Sequence, residues 1–137
     1  MRRRDFIKRS CSVCLTSVAL GTLLESCSTL PLAKAEMKEG KLVVPIEKFA
    51  NTNVVLIKTE KLPFDILLRK KEDNTFVALY LKCTHQDQSL VASNKTIFCS
   101  AHGSSFDMEG NVLNEPAILP LEKFKTSVTD KMIYIHV

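Results

Sequence analysis

The chain has no tryptophan, only 4 glycines and only 3 histidines in its 137 residues. Scarce glycine, with apolar and charged fractions of 45% and 25%, excludes a collagen-like or disordered chain. There is no internal repeat, no low-complexity tract and no phosphate-binding glycine loop. No nucleophile or carboxylate pair stands at a recognisable catalytic spacing. The leading apolar stretch, Cys11–Leu24, is shorter than the roughly 20 residues that span a bilayer as a helix. What remains is a length suited to one domain with a real core.

Charge is unevenly placed. Five of the 19 basic residues (Arg2, Arg3, Arg4, Lys8, Arg9) and two of the 15 acidic ones (Asp5, Glu25) fall within residues 1–27, so the remainder carries 14 against 13. A nucleic-acid partner therefore has no electrostatic support.

The basic run followed by an apolar stretch has the layout of an export signal. Arg3-Arg4-Asp5-Phe6-Ile7-Lys8 resembles the twin-arginine signal, with Arg2 where that pattern prefers Ser or Thr. The resemblance implies transport of a folded protein, often with its cofactor already inserted. Leu24-Glu25-Ser26-Cys27 resembles a bacterial lipobox, which makes Cys27 the lipidation site, although Glu25 is unusual there. Ala33-Lys34-Ala35 offers a competing cleavage site that would release a soluble protein. The lipobox follows the apolar run directly and is preferred. On this reading residues 1–27 are a signal segment and residues 28–40 a linker. Acyl chains on Cys27 then hold the exported domain at the membrane, on the periplasmic face or outer surface, without spanning it.

From residue 41 the pattern is that of strands. Lys41–Val44, Val54–Lys58, Phe64–Lys70, Phe76–Lys82, Thr96–Cys99, Leu121–Thr129 and Met132–Val137 are mostly rich in β-branched, aromatic or other apolar residues. Several are continuous apolar runs, as in strands covered on both faces. Turn formers separate them, among them Glu72-Asp73-Asn74, Ser93-Asn94 and Glu109-Gly110-Asn111. No long amphipathic helix follows the leader. Residues 41–137 are therefore expected to form one all-β domain, an antiparallel β-sandwich or small barrel.

Two of the three histidines follow closely on cysteines: Cys83-Thr84-His85 and Cys99-Ser100-Ala101-His102. Each pair lies at a strand end, in a loop held by a rigid frame. With Cys11, Cys14 and Cys27 in the leader, Cys83 and Cys99 are what the folded domain keeps. Two cysteines in an exported domain ordinarily pair as a disulfide. Two thiolates and two imidazoles also suit a tetrahedral zinc site or an iron–sulfur cluster. Common zinc modules pair like ligands within each loop, whereas here each loop supplies one of each.

At these residues the chain resembles the Rieske iron–sulfur family, whose signature is C-x-H, a variable spacer, then C-x-x-H-G-S. Phe106-Asp107, Gly110, Pro116-Ala117 and Pro120-Leu121 continue the likeness, with Glu115 in place of a glycine. The resemblance implies a [2Fe-2S] cluster in which Cys83 and Cys99 bind one iron and His85 and His102 the other. Ser104 stands where the family's serine donates to a bridging sulfide. Replacing two thiolates by imidazoles raises the potential from about −400 mV to between about −150 and +300 mV.

Quinol-oxidising members carry a tyrosine where this chain has Phe106, and an extra disulfide at places occupied here by Gln88 and Ala101. An intermediate potential is expected from these differences. Rieske oxygenases need a further mononuclear iron with two more histidines, and His136 alone remains. The implied function is one-electron transfer, as a membrane-anchored carrier or subunit serving a redox partner, with no small-molecule substrate indicated. The alternatives are a quinol-oxidising subunit of a cytochrome bc-like complex and, from another class, a structural zinc or disulfide binding module. The run Arg69-Lys70-Lys71 reads as a solvated strand end.

Overall fold

The computed structural model describes residues 29–137. The twin-arginine pattern, the apolar stretch and Cys27 lie outside the described residues. Among the described residues no helix is long and apolar enough to cross a membrane.

The strands are β1 (Leu32–Lys34), β2 (Glu36–Lys38), β3 (Lys41–Pro45), β4 (Val54–Lys58), β5 (Ile66–Lys70) and β6 (Phe76–Tyr80), followed by β7 (Val91–Ala92), β8 (Ile97–Phe98), β9 (Ser105–Phe106), β10 (Val112–Asn114), β11 (Lys123–Thr129) and β12 (Met132–His136). A 3-10 turn, Ile46–Phe49, follows β3. The larger sheet has 8 strands in the order β1-β4-β5-β6-β11-β12-β3-β2. Its edge strands β1 and β2 are consecutive in the chain, joined by Ala35, whose N–H donates to the Lys58 carbonyl (3.1 Å). The sheet thus curls into a nearly closed barrel, which leaves little open edge. The second sheet has 4 short strands in the order β10-β9-β8-β7.

Two cores result, and β5 and β6 serve both. Ile66 and Leu68 of β5 and Ala78 and Tyr80 of β6 face the barrel interior with Leu42, Val44, Val55, Ile57, Ile133 and Ile135. Their neighbours Leu67, Leu79 and Leu81 point the other way, into a layer with Leu90, Ile97, Phe106, Ala117 and Leu121 between the barrel and the small sheet. Side chains alternate along a strand, so a strand buried on both faces needs the unbroken apolar runs ILL and ALYL. Each fully buried Leu, Ile, Val or Phe side chain contributes about 1.5–3 kcal/mol. Gly110, at φ +83, closes the turn after β9 against this second core; a Cβ there would meet Leu79 Cδ2 at 2.9 Å.

The stretch 28–40, expected as linker, differs. β1 pairs in parallel with β4, and β2 pairs with β3 in antiparallel register. Ala33 is buried in the barrel core, and the Pro31 carbonyl accepts from Leu56 N–H (2.9 Å). The folded body therefore begins near Pro31 rather than at Lys41. The reason is edge satisfaction: β3 and β4 would otherwise present unpaired backbone groups at the seam of the barrel.

Candidate metal centre

Both Cys/His segments are loops at one end of the second core. The first leaves β6 through Leu81 and Lys82, with Lys82 bridged to Ser89 across the loop base. The second joins β8 to β9. Their closures match. In the first, Cys83 N–H donates to Gln88 O (2.8 Å) and Asp87 N–H donates to Cys83 O (2.9 Å). In the second, Cys99 N–H donates to Ser104 O (2.8 Å) and Gly103 N–H donates to Cys99 O (3.0 Å). Each cysteine thus opens a loop tied back on itself four and five residues later. The fifth residue of each loop has a positive φ: Asp87 at 53° and Gly103 at 85°.

This construction segregates the four side chains. Cys83 and Cys99 are free thiols, 1% and 2% exposed, packed among Leu81, Leu90, Ile97 and Phe106. His85 and His102 are exposed at the tip, ring centroids 5.1 Å apart and nearly perpendicular. Among the described residues no three His, Cys, Asp or Glu side chains converge on one metal-sized point. Thiols beneath and imidazoles above suit a two-metal group that takes one pair of ligands on each metal.

Ser104 is fully buried, and its Oγ accepts from the Ala117 N–H (3.0 Å). Since that contact uses a lone pair, the hydroxyl proton stays available for donation. The segment containing Ala117 is tied to the first loop as well, through Thr84 Oγ1 donating to Leu119 O (2.7 Å). The sequence does not mark Thr84 and Asp87 for these roles, since a threonine inside C-T-H and an acidic residue in a polar loop carry no local sign of them. Within the two loops the one carboxylate is Asp87, ion-paired with Lys82 Nζ at 3.1 Å. His136 lies elsewhere, on β12, its Nε2 2.9 Å from Ser127 Oγ. Arg69 and Lys71 bind Glu109 and also stand away from the tip.

The family model for the Rieske [2Fe-2S] domain matches residues 32–125. The chain belongs to that family. Three solved structures illustrate the fold of this Rieske domain. The plasma membrane Rieske protein PetC3 from the cyanobacterium Synechocystis PCC 6803 is 23% identical, with 72% of this chain and 87% of that one covered and a TM-score of 0.50. A chain in the complex of reduced oxygenase and oxidised ferredoxin of carbazole 1,9a-dioxygenase is 19% identical, with 69% and 89% covered and a TM-score of 0.50. Naphthalene 1,2-dioxygenase with bound indole is 19% identical, with 60% of this chain but 22% of that one covered and a TM-score of 0.50. No curated protein matches the chain. Membership of the family implies a [2Fe-2S] cluster and Rieske-type electron transfer. The donor set fits such a group: two buried thiols with no disulfide between them, two imidazoles side by side, and a buried hydroxyl with a proton to give.

Proposed function

We propose that this Rieske domain is a membrane-anchored one-electron carrier or redox-complex subunit, exported by the twin-arginine route and held by acyl chains on Cys27. Cys83 and Cys99 would bind one iron from the core side, and His85 and His102 the other from the solvent side. The observation that carries this reading is the matched pair of loop closures, which sets buried thiols beneath exposed imidazoles. A bound [2Fe-2S] cluster supplies reversible one-electron chemistry at a potential set by its ligands and their hydrogen bonds.

The residues around it have separate tasks. Leu81, Leu90, Ile97 and Phe106 keep water from the thiolate side, which favours a compact charge-neutral group. Ser104 offers a donor from the core. The exposed His85 and His102 give a partner its closest approach, through imidazole rather than through layers of side chain. Phe106, fully buried, has no hydroxyl to donate, and Gln88 and Ala101 have no thiols to join the loops. These differences favour a carrier of intermediate potential over a quinol oxidase.

The anchored reading gains support from β1. Cleavage after Ala35 would remove this strand, with its buried Ala33, and expose the edge of β4. Retention of β1 is consistent with a mature N-terminus at Cys27.

The test is chemical analysis of the isolated protein together with the mass of its N-terminus. Equal amounts of iron and acid-labile sulfide, lost in Cys83→Ser and Cys99→Ser, and a diacylated Cys27 are expected. A colourless protein with zinc, or a Cys83–Cys99 disulfide, would overturn the cluster assignment; an unmodified N-terminus would overturn the anchor alone.

A further inference from the structure

The pole opposite the histidine tip holds a crevice of about 390 Å³, lined by Asn53, Val54, Arg69, Lys70, Lys71, Glu72, Asn74 and Asn94. The strand registers fix its location. Val54 of β4 lies opposite Arg69 of β5, which lies opposite Val77 of β6. From Val77 the strand direction leads to Cys83 over six residues, roughly 20 Å at about 3.3 Å per residue. The crevice is thus set between the β5–β6 turn and the β7–β8 turn, far from the loops that carry the ligands.

Its chemistry is that of an anion site. Arg69 and Lys71 share a single carboxylate, Glu109, and Lys70 has no ion-pair partner among the described residues. Three basic residues and three asparagines border it, against the one acidic residue Glu72; Arg69 and Lys71 reach Glu109 on the side of the second core, while alternation along β5 puts Lys70 on its other face at the same rim. Cationic and amide N–H donors in that mixture match the oxygens of a phosphate.

The chain also enters the domain at this pole. β1 runs parallel to β4 with Leu32 opposite Leu56, which sets residues 29 and 30 beside Asn53 and Val54. Because the folded body begins near Pro31, only residues 28–30 separate it from Cys27, about 10–12 Å of extended chain instead of a dozen-residue tether. We infer that this crevice holds the phosphate of an anionic membrane lipid, so that the domain rests on the bilayer by its Lys70–Lys71 pole and presents His85 and His102 away from it. The inference rests on the Cys27 anchor; lipid headgroups would be the anions nearest the crevice, and anionic membranes attract basic surface clusters.

The full-length, cluster-loaded protein is mixed with vesicles of neutral phosphatidylcholine and with vesicles that also contain phosphatidylglycerol. Flotation on the neutral vesicles reads the anchor alone. Amide hydrogen exchange then reads the contact. Expected is protection of residues 69–75 and 93–96 on the anionic vesicles only, lost in the K70Q/K71Q variant and in high salt, while the loops 83–88 and 99–104 exchange as in solution. The variant should keep its visible spectrum. Equal protection on both vesicle types, no effect of the variant, or protection of the cluster loops would overturn the proposal. Protection by inorganic phosphate with none from anionic vesicles would also overturn it, leaving a site for soluble anions. Absence of flotation on neutral vesicles would overturn the anchor, and failure of protection despite flotation would overturn the lipid site.

Discussion

Asp87 and Gly103 occupy the same position in two loops closed by the same pair of backbone hydrogen bonds, each with a left-handed backbone, at φ 53° and 85°. One loop uses the residue with no Cβ, the other a residue whose short polar side chain tolerates this region better than most. A Cβ on Gly103 would meet nothing within 4 Å, so the cost of a side chain there is conformational rather than steric.

Gly103→Ala is therefore expected to cost about 1–2 kcal/mol. Asp87→Gly should be close to neutral, because relief of the backbone offsets loss of the exposed Lys82 ion pair, itself worth about 0–1 kcal/mol. Urea unfolding of both variants checks this. Equal destabilisation by the two would show that the loops are not equivalent.

Ser104→Ala has two effects of different origin. Removing Oγ leaves the buried Ala117 N–H without its acceptor, which costs about 1–3 kcal/mol of stability. If the hydroxyl proton is given to the cluster, the midpoint potential also falls, by an amount on the order of tens of millivolts for a hydrogen bond of ordinary strength. Potentiometry separates the two. A stability loss at unchanged potential would confine Ser104 to holding the 115–120 segment.

Much of this arrangement was legible in the chain because its signals were of the kind a sequence carries. The runs that became β3, β4, β5, β6 and β12 are apolar over several residues, and β11 is marked instead by its Phe, Val and Thr residues; these six strands form the middle of the larger sheet. Their ends were less readable. Phe64 and Asp65 precede β5, and Leu121 and Glu122 precede β11. β1 and β2 carry no strand signal, because LAK and EMK have no β-branched residue; they are strands because the barrel needs its seam closed. β8 lies within the expected run Thr96–Cys99, whereas β7 and β9 are 2 residues each, too short to show any period. At the centre, the four Cys/His residues were identifiable from spacing. The shared loop closure was not, since it resides in backbone hydrogen bonds to Gln88 and Ser104 carbonyls that no residue type specifies.

Asp107 follows β9 and organises the turn after it. Its Oδ1 accepts from Glu109 N–H and Asn111 N–H (both 2.8 Å), and its Oδ2 from Asn111 Nδ2 (2.9 Å). Partial burial pushes the carboxyl up, but the Asn111 side chain and the two backbone donors, with the Lys123 charge, outweigh it and hold the group below its ordinary 3.8. A depressed carboxyl binds fewer protons in the folded state than in the unfolded one. Its stabilisation is full above about pH 4 and fades as pH falls through the folded value. Asp107→Asn should lower stability at neutral pH by on the order of 1 kcal/mol and flatten the stability curve below about pH 4. Unfolding followed between neutral pH and pH 2 checks both, and an unchanged acid slope would assign the acid sensitivity to other groups.

Phe106→Tyr tests how the potential is set. Phe106 is fully buried in the second core beside Cys83 and Cys99, on a strand that pairs with both β8 and β10. A hydroxyl added there must find an acceptor or cost about 1–3 kcal/mol. The nearest acceptors by the family's pattern are the cysteine sulfurs, which carry more negative charge once the cluster is reduced. A donor to sulfur stabilises that reduced state and so raises the midpoint. The expected outcome is a rise on the order of tens of millivolts with little loss of stability. A destabilised protein at unchanged potential would mean that the ring edge points away from the thiolates, and that the core around Phe106 acts by excluding water alone.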